Sequence, residues 1–264
     1  MLRIREPVSK VAAVLLPFLP FVVIAGLWFW ATAGPEPEAR RVSTVLLPSP
    51  VETVESVPAL WYERELSRAV AYSLRRVAIG YGVAAAIALP LGIAMGAFAG
   101  IRAMFNPLAV IGGYLPIAAI VPLTVLWWGI GEEQKDGFLA IACFVYMLPL
   151  VVRAVQQVDD NYVLTAQAQG ASQWQVLSKV LVPIALPDLY RALHLGFGVG
   201  WTWIILAEVY NAENGIGYII NMSQRRNLPA HAYLSLIVVI LIAFLIDRLW
   251  VFVRKQLFPY KVEA

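Results

Sequence analysis

The chain has 264 residues, 60% of them hydrophobic and 14% charged, with 20 basic and 17 acidic side chains and a formal net charge of +3. A water-soluble domain carries about 25% charged and about 45–50% apolar residues, so this surface is too poor in charge to be wetted all round; a mean hydropathy of +0.72 fits side chains that face lipid. No basic stripe interleaved with aromatics argues for nucleic acid, and the single cysteine, Cys143, set in an apolar run, excludes an intrachain disulfide and a four-cysteine zinc site.

Six apolar segments are long enough to cross roughly 30 Å of hydrocarbon, which takes about 20 helical residues. They are residues 11–33, 70–99, 107–129, 137–157, 190–210 and 231–253. Their apolar runs are continuous rather than alternating, so the predicted fold is all-α and polytopic. The first segment follows Arg3, Arg5 and Lys10 and ends in Ala31-Thr32-Ala33, the outline of a signal peptide. It exceeds the roughly 7–15 residues of a signal core, and so reads as an uncleaved helix. In residues 34–67, "GPEPEARR" and "LLPSP" oppose regular helix. "VPALWYERELSRAV" suits a short interfacial helix with Trp61 and Tyr62 at headgroup level. Residues 1–69 thus form a first spanning helix with an extracytoplasmic segment, ahead of a core at residues 70–260.

Arg75 and Arg76, in the first turns of the second span, are expected at an interface. Gly92 and Gly96, four apart, make a close-packing face. Arg102 and Asn106-Pro107 mark the next turn; Pro116, Pro122 and Gly129 break or loosen the third span, and Tyr146 and Pro149 do something similar in the fourth. "GIGEEQKDG" forms a further turn, whose Glu132, Glu133 and Asp136 read, with Arg225 and Arg226, as a solvated rim. Six spans place both termini on one side of the membrane. Basic residues lie on both sides, and only those beside the first and last spans weigh toward cytoplasmic termini.

Between the fourth and fifth spans lies "TAQAQGASQWQVLSKVLVPIALPDL", within a polar loop at residues 158–189. Residues 163–169 suit a short helix in which Ala166 allows close approach, and Gly170 suits a C-cap with positive φ. Ala171 follows, and Ser172 N-caps a second helix over residues 173–180, in which Trp174, Leu177 and Leu181 share a face. Pro183 and Pro187 are expected to stop that helix and turn the chain back into the membrane. The result is two short helices around a glycine elbow, a form that docks on a soluble partner or packs on its own domain.

This loop resembles the cytoplasmic loop of binding-protein-dependent ABC importer permeases, whose signature is E-A-A, three residues, G, nine residues, I-x-L-P. Ala166 matches the second alanine, Gly170 the glycine, and Val180, Val182 and Pro183 the final I, L and P. Leu164 and Thr165 stand where the family has its glutamate and first alanine. "QGAS" and "VLVPIALPDL" are similar to the branch that imports nitrate, sulfonates, taurine and bicarbonate, as are "SLRRVAIGYGVAAAIALPLGIAMG", "NPLAVIGGYLPIAAIVPLTVLWWGIGEEQK" and "GWTWIILAEVYNAENGIGYII". The resemblance implies a type I (MetI-like) permease fold in the inner membrane and no covalent chemistry in this chain. It also implies two ATP-binding subunits that carry ATP and Mg, a second permease copy with a homodimer expected, and a periplasmic or lipid-anchored binding protein. The ATPase would push on the loop through Ala166, Gly170, Ala171, Ser172, Val180, Pro183 and Pro187. The absence of G-x-x-x-x-G-K-[ST] from the chain agrees with a separate ATPase.

Ionisable and polar groups in the spans are candidates for a solute pathway. They are Tyr146, Arg191, His194, Trp201, Thr202 and Glu208, with Arg191 and His194 one turn apart and Glu208 near the outer end of the fifth span, where it holds a helix end or gates the exit. Arg153 reads as snorkelling to the surface. A secondary carrier or channel is the rival reading; it calls for an inverted repeat or a carboxylate–histidine relay in the membrane, and neither is evident in sequence. A membrane-embedded enzyme lacks a catalytic constellation, since the two histidines lie on different segments.

Overall fold

The computed structural model describes residues 9–34, 40–210 and 212–260. Arg3, Arg5 and most of "GPEPEARR" lie outside the described residues. Among the described residues all regular structure is helical, and the chain divides into two compact units, Met1–Glu65 with Ile219–Ile237, and Leu66–Tyr218 with Val238–Ala264.

In the first unit, α1 (Lys10–Leu15) passes through a 3-10 turn, Leu16–Phe18, into α2 (Leu19–Ala31). Pro17 and Pro20 fall at the starts of these elements, where a missing N–H leaves no bond unmade. α2 is apolar on every side and has no buried residue, as suits a lipid-facing helix. Two aromatic donors hold the segment after it: Trp28 Nε1 donates to the Pro48 carbonyl at 2.8 Å, and the Tyr233 hydroxyl to the Leu46 carbonyl at 3.1 Å. The sequence "LLPSP" is irregular only in its first part. Pro50 opens α3 (Pro50–Glu55) behind a Ser49 cap that forms a complete capping box with Glu52, because proline at the first helical position suits the helix. Trp61 and Tyr62 are exposed on a single π turn, Ala59–Glu63.

Glu52 accepts from Arg40 Nη1 at 2.9 and 3.0 Å and from the Ser49 amide at 2.8 Å. The Arg40 guanidinium, then the Ser49 amide, hold its carboxyl below the ordinary value of 4.5. A carboxylate with a depressed folded pKa stabilises fully above the unfolded value and loses that contribution as pH falls through the folded one. Hydrogen-exchange protection across residues 49–55, relative to the intrinsic rate at each pH, should therefore be highest at neutral pH and fall below pH 4.5. In Arg40→Met protection should be lower at neutral pH and should fall less in acid; identical profiles would refute the pair.

The second unit contains α4 (Leu66–Ala97), α5 (Ala99–Gly113), α6 (Ile117–Trp128), α7 (Glu132–Gln156), α8 (Asp160–Ala168), α9 (Gln173–Val176) and α10 (Val182–Val209). α11 (Ile216–Arg225) and α12 (Pro229–Leu257) complete the chain. α7 is the hub: 56% of its apolar window is buried, against 6% for α12, and it packs on both α4 and α10. Gly80, Gly92 and Gly96 let α7 approach α4, since a Cβ on Gly92 would lie 2.6 Å from Val151 Cγ1 and one on Gly96 2.6 Å from Val155 Cβ.

The third span is broken next to Pro116, as the sequence led us to expect, but it starts earlier: Arg102, Asn106 and Pro107 lie inside α5 and mark no turn, the break before that helix is at Phe98, and α5 and α6 meet at 103°. Gly112, Gly113 and Pro116 explain the bend: glycines weaken the helix end, and the residue before a proline avoids helical backbone. Pro122 and Pro149 sit within unbroken helices, as transmembrane helices tolerate. Among the described residues there are therefore five candidate spans and one bent pair.

Candidate functional site

The loop after α7 is an elbow with regular chemistry. Asp159 caps α8 by accepting from the Asn161 amide at 2.8 Å. α8 ends in a Schellman motif: the Ala171 amide donates to the Ala166 carbonyl at 3.0 Å, the Gly170 amide to the Gln167 carbonyl at 2.9 Å, and Gly170 has φ +82°. Ser172 caps α9, and Gln175 closes a capping box by accepting from the Ser172 amide at 2.8 Å. The sequence reading missed Gln175, although its spacing from Ser172 carried the signal.

One expectation about the elbow is corrected. Pro183 and Pro187 do not stop the second helix: α9 continues through a π turn, Leu177–Leu181, directly into α10, one helical run of 37 residues. Val180 lies in that π turn, Pro183 in the first turn of α10, and Pro187 is buried inside α10. The wider π turn displaces the carbonyl that the Pro183 ring would otherwise strike. Trp174 is 72% exposed while Val176 is buried. Tyr162 and Leu164 are exposed beside it on α8, so the elbow displays three large apolar side chains outwards.

At the other end of the bundle is a buried ion cluster. Arg76, expected at an interface, is 1% exposed. Its Nη1 donates to Glu208 at 2.8 Å and to the Asn214 carbonyl at 2.7 Å, while Nε and Nη2 make a two-pronged contact with Glu132 at 2.7 and 2.6 Å. Glu208 also accepts from the Ser73 hydroxyl at 2.7 Å and the Gly217 amide at 2.8 Å, and Ser73 accepts from the Ile216 amide at 3.0 Å. Glu208 and Ser73 thus occupy the free amides at the start of α11, with Gly215 at φ +113° packed against the Glu208 carboxyl. The cluster joins α4, α7, α10 and α11, and Glu208, enclosed by these partners, holds a helix end. Glu132 points into it and is not simply part of a solvated rim.

Midway along α10 the remaining candidates separate. His194, Trp201 and Thr202 line one cleft of about 370 Å³. His194 Nε2 lies 2.9 Å from Asp247 Oδ1 and its ring stacks on Trp250 at 5.5 Å. Trp201 is buried and donates to the Val239 carbonyl at 3.1 Å. Tyr146, Arg191 and Arg153 are exposed elsewhere on their helices. Asp247 and Trp250 were missed by sequence reading, because no local pattern relates α12 to α10.

The family described as binding-protein-dependent transport system inner membrane component matches residues 88–257. The taurine transport system permease protein TauC of Escherichia coli (strain K12) is 29% identical over 268 residues, covering 100% of this chain and 95% of that protein. A putative aliphatic sulfonates transport permease protein, SsuC of Bacillus subtilis (strain 168), is 26% identical, covering 92% of this chain and 86% of that protein. The nitrate import permease protein NrtB of Synechocystis sp. is 24% identical, covering 97% and 94%. Among solved structures, inward-facing conformations of the MetNI methionine ABC transporter match with TM-scores of 0.65 and 0.67 at 19% identity, over 75% of this chain and 97% of that one. At that identity the likeness speaks to fold.

Proposed function

From the premise that this chain belongs to the family of binding-protein-dependent transport system inner membrane components, and so is the permease subunit of an ABC importer, we propose that it passes a small polar or anionic solute through a pathway shared with a second copy of itself. Its multi-pass helices lie in the inner membrane, the ATPase is a separate subunit, and a binding protein delivers the solute. Relatives named for taurine, aliphatic sulfonates and nitrate favour a small solute with an anionic group. In this proposal both termini and the elbow face the cytoplasm, and two copies of the ATP-binding subunit, carrying ATP and Mg, act on two permeases.

The observation that carries the coupling role is the unbroken helix from Gln173 to Val209. At 1.5 Å per residue it is about 55 Å long, so displacement of the elbow moves the fifth span directly. The exposed Tyr162, Leu164 and Trp174 supply the apolar contacts that a partner's groove covers. Leu164, where the family signature has glutamate, offers an apolar contact in place of a charged one.

The test is a cysteine cross-link in a Cys143→Ser background, with single cysteines at Gln169 and Gln173, exposed positions that spare the Ser172 cap. Specific disulfides to a co-expressed ATP-binding subunit, whose yield changes with ATP, are expected. A folded, membrane-inserted chain that cross-links at neither site would refute the coupling role and return attention to an ATPase-independent carrier.

A further inference from the structure

We propose that the pocket between the elbow and the bundle is a binding site for a phosphate ester that carries hydroxyl groups, of the glycerol phosphate type. The inference goes beyond the importer reading and needs no part of it. The pocket holds about 390 Å³ and is walled by the turn between α4 and α5, the end of α7, and α8 and α9 of the elbow. Small-molecule sites typically hold about 300–1,000 Å³. Asp160, Val163 and Gln167 line it from one face of α8, and Gln173, Val176 and Leu177 from one face of the second elbow helix and its π turn. None of the pathway candidates on α7 and α10 lines it, nor do Tyr162, Leu164 and Trp174 on the outward side of the elbow. It is therefore separate from both surfaces described above.

Arg102 supplies the positive charge. It is partly buried and lines the pocket, and among the described residues its guanidinium has no hydrogen-bond or ion-pair partner. It also stands in the first turn of α5, which carries no acidic residue, where a cation opposes the helix dipole. An oxyanion in the pocket would relieve both, and phosphate matches the planar guanidinium fork in a two-pronged contact. Gln156, Gln167 and Gln173, one each from α7, α8 and α9, add amide donors and carbonyl acceptors. The buried Val155 and Val176 form an apolar part of the wall, and a low local dielectric strengthens charge-assisted hydrogen bonds.

Asp160 decides which oxyanion. Its carboxylate lines the same pocket, is not paired with Arg102, and has no other side-chain partner among the described residues. Inorganic phosphate would bring a second anion to that carboxylate and offer it little in return. An ester with hydroxyl groups sets its phosphate on Arg102 and donates its hydroxyls to Asp160 and to the carboxamide oxygens, so that each polar group of the wall gains a partner. Bound there, it bridges α5, α7 and the elbow. Two sources carry this chemistry, free glycerol 3-phosphate and the headgroup of phosphatidylglycerol.

Two arms distinguish them. In the first, the full-length chain in phosphatidylcholine nanodiscs is titrated by calorimetry with glycerol 3-phosphate, inorganic phosphate and glycerol. In the second, native mass spectrometry of the detergent-solubilised chain reads retained phosphatidylglycerol against phosphatidic acid and phosphatidylcholine. Saturable binding of the hydroxylated ester in one arm, in preference to its comparison compounds, is expected and names the source. Arg102→Gln should weaken it by about tenfold or more, the worth of one charge-assisted contact. Asp160→Asn, which leaves the Asp159 cap in place, should narrow the preference for glycerol 3-phosphate over inorganic phosphate, or for phosphatidylglycerol over phosphatidic acid. A loss of fold would not produce that change. Should Arg102→Gln misfold, Arg102→Lys should keep the charge and weaken binding, since the two-pronged contact is lost. Silence in both arms, comparison compounds that bind as tightly as the ester, or an affinity unchanged by the Arg102 and Asp160 variants overturns the proposal. Elbow cross-links that respond to ATP while both arms stay silent would sink this site alone and leave the importer reading standing.

Discussion

Replacing Arg76 with methionine is expected to destabilise the protein by about 3–5 kcal/mol, the usual consequence of stranding a buried charge. Glu208 is 1% exposed and would lose its only cationic partner among the described contacts. Glu132, whose side chain is 42% exposed, can turn to water and should contribute little of the loss. The difference between the two carboxylates makes the prediction specific. Arg76→Met with Glu208→Gln should recover more than half of the loss, because glutamine keeps an oxygen for the Ser73 hydroxyl and Gly217 amide while removing the stranded charge. Arg76→Met with Glu132→Gln should recover little. Thermal unfolding of the detergent-solubilised chain, followed by size-exclusion chromatography, reads all four proteins. A single-variant loss below about 1 kcal/mol, the range of surface pairs, would show that water reaches the cluster.

The second large effect is a contrast between two glycines on α4. A methyl group on Gly92 would lie 2.6 Å from Val151 Cγ1 and 2.8 Å from Val151 Cβ, whereas nothing lies within 4 Å of the same atom on Gly82. Gly92→Ala should therefore destabilise by about 1–3 kcal/mol through overpacking, and Gly92→Leu should prevent α4 and α7 from closing. Gly82→Ala should stabilise by about 0.5–1 kcal/mol, since a helix interior prefers alanine. Val151→Ala in the Gly92→Ala background should recover part of the loss by removing the contacted atoms. The same thermal series measures the signs; a destabilising Gly82→Ala equal to Gly92→Ala would mean that lipid-side contacts, not the α4–α7 interface, limit the helix.

Much of the architecture is legible locally. Gly170 and Ser172 announced an elbow because caps obey short-range rules, a positive φ and a side-chain acceptor placed before a helix. Gly92 and Gly96 announced a packing face because spacing alone puts them on one side of a helix. Local rules misled where a neighbour could compensate: Pro183 and Pro187 looked like stops, but a π turn before the first and a transmembrane setting for both let the helix run on. Arg76 looked like an interface residue because its partners come from three other places in the chain, at residues 132, 208 and 214.

The sequence by itself determined the apolar spans, their order and the polar elbow between the fourth and fifth. Each depends on composition or on spacing within a few turns of helix, and such properties survive without knowledge of neighbours. Only the tertiary structure decided that Arg76 and Glu208 form a closed cluster, that Asp247 faces His194 across a cleft, and that α5 and α6 bend by 103°. The two pairings bring together side chains 132 and 53 residues apart. Which side chain meets which is settled by helix packing, because a buried charge is costly unless the bundle places a partner beside it.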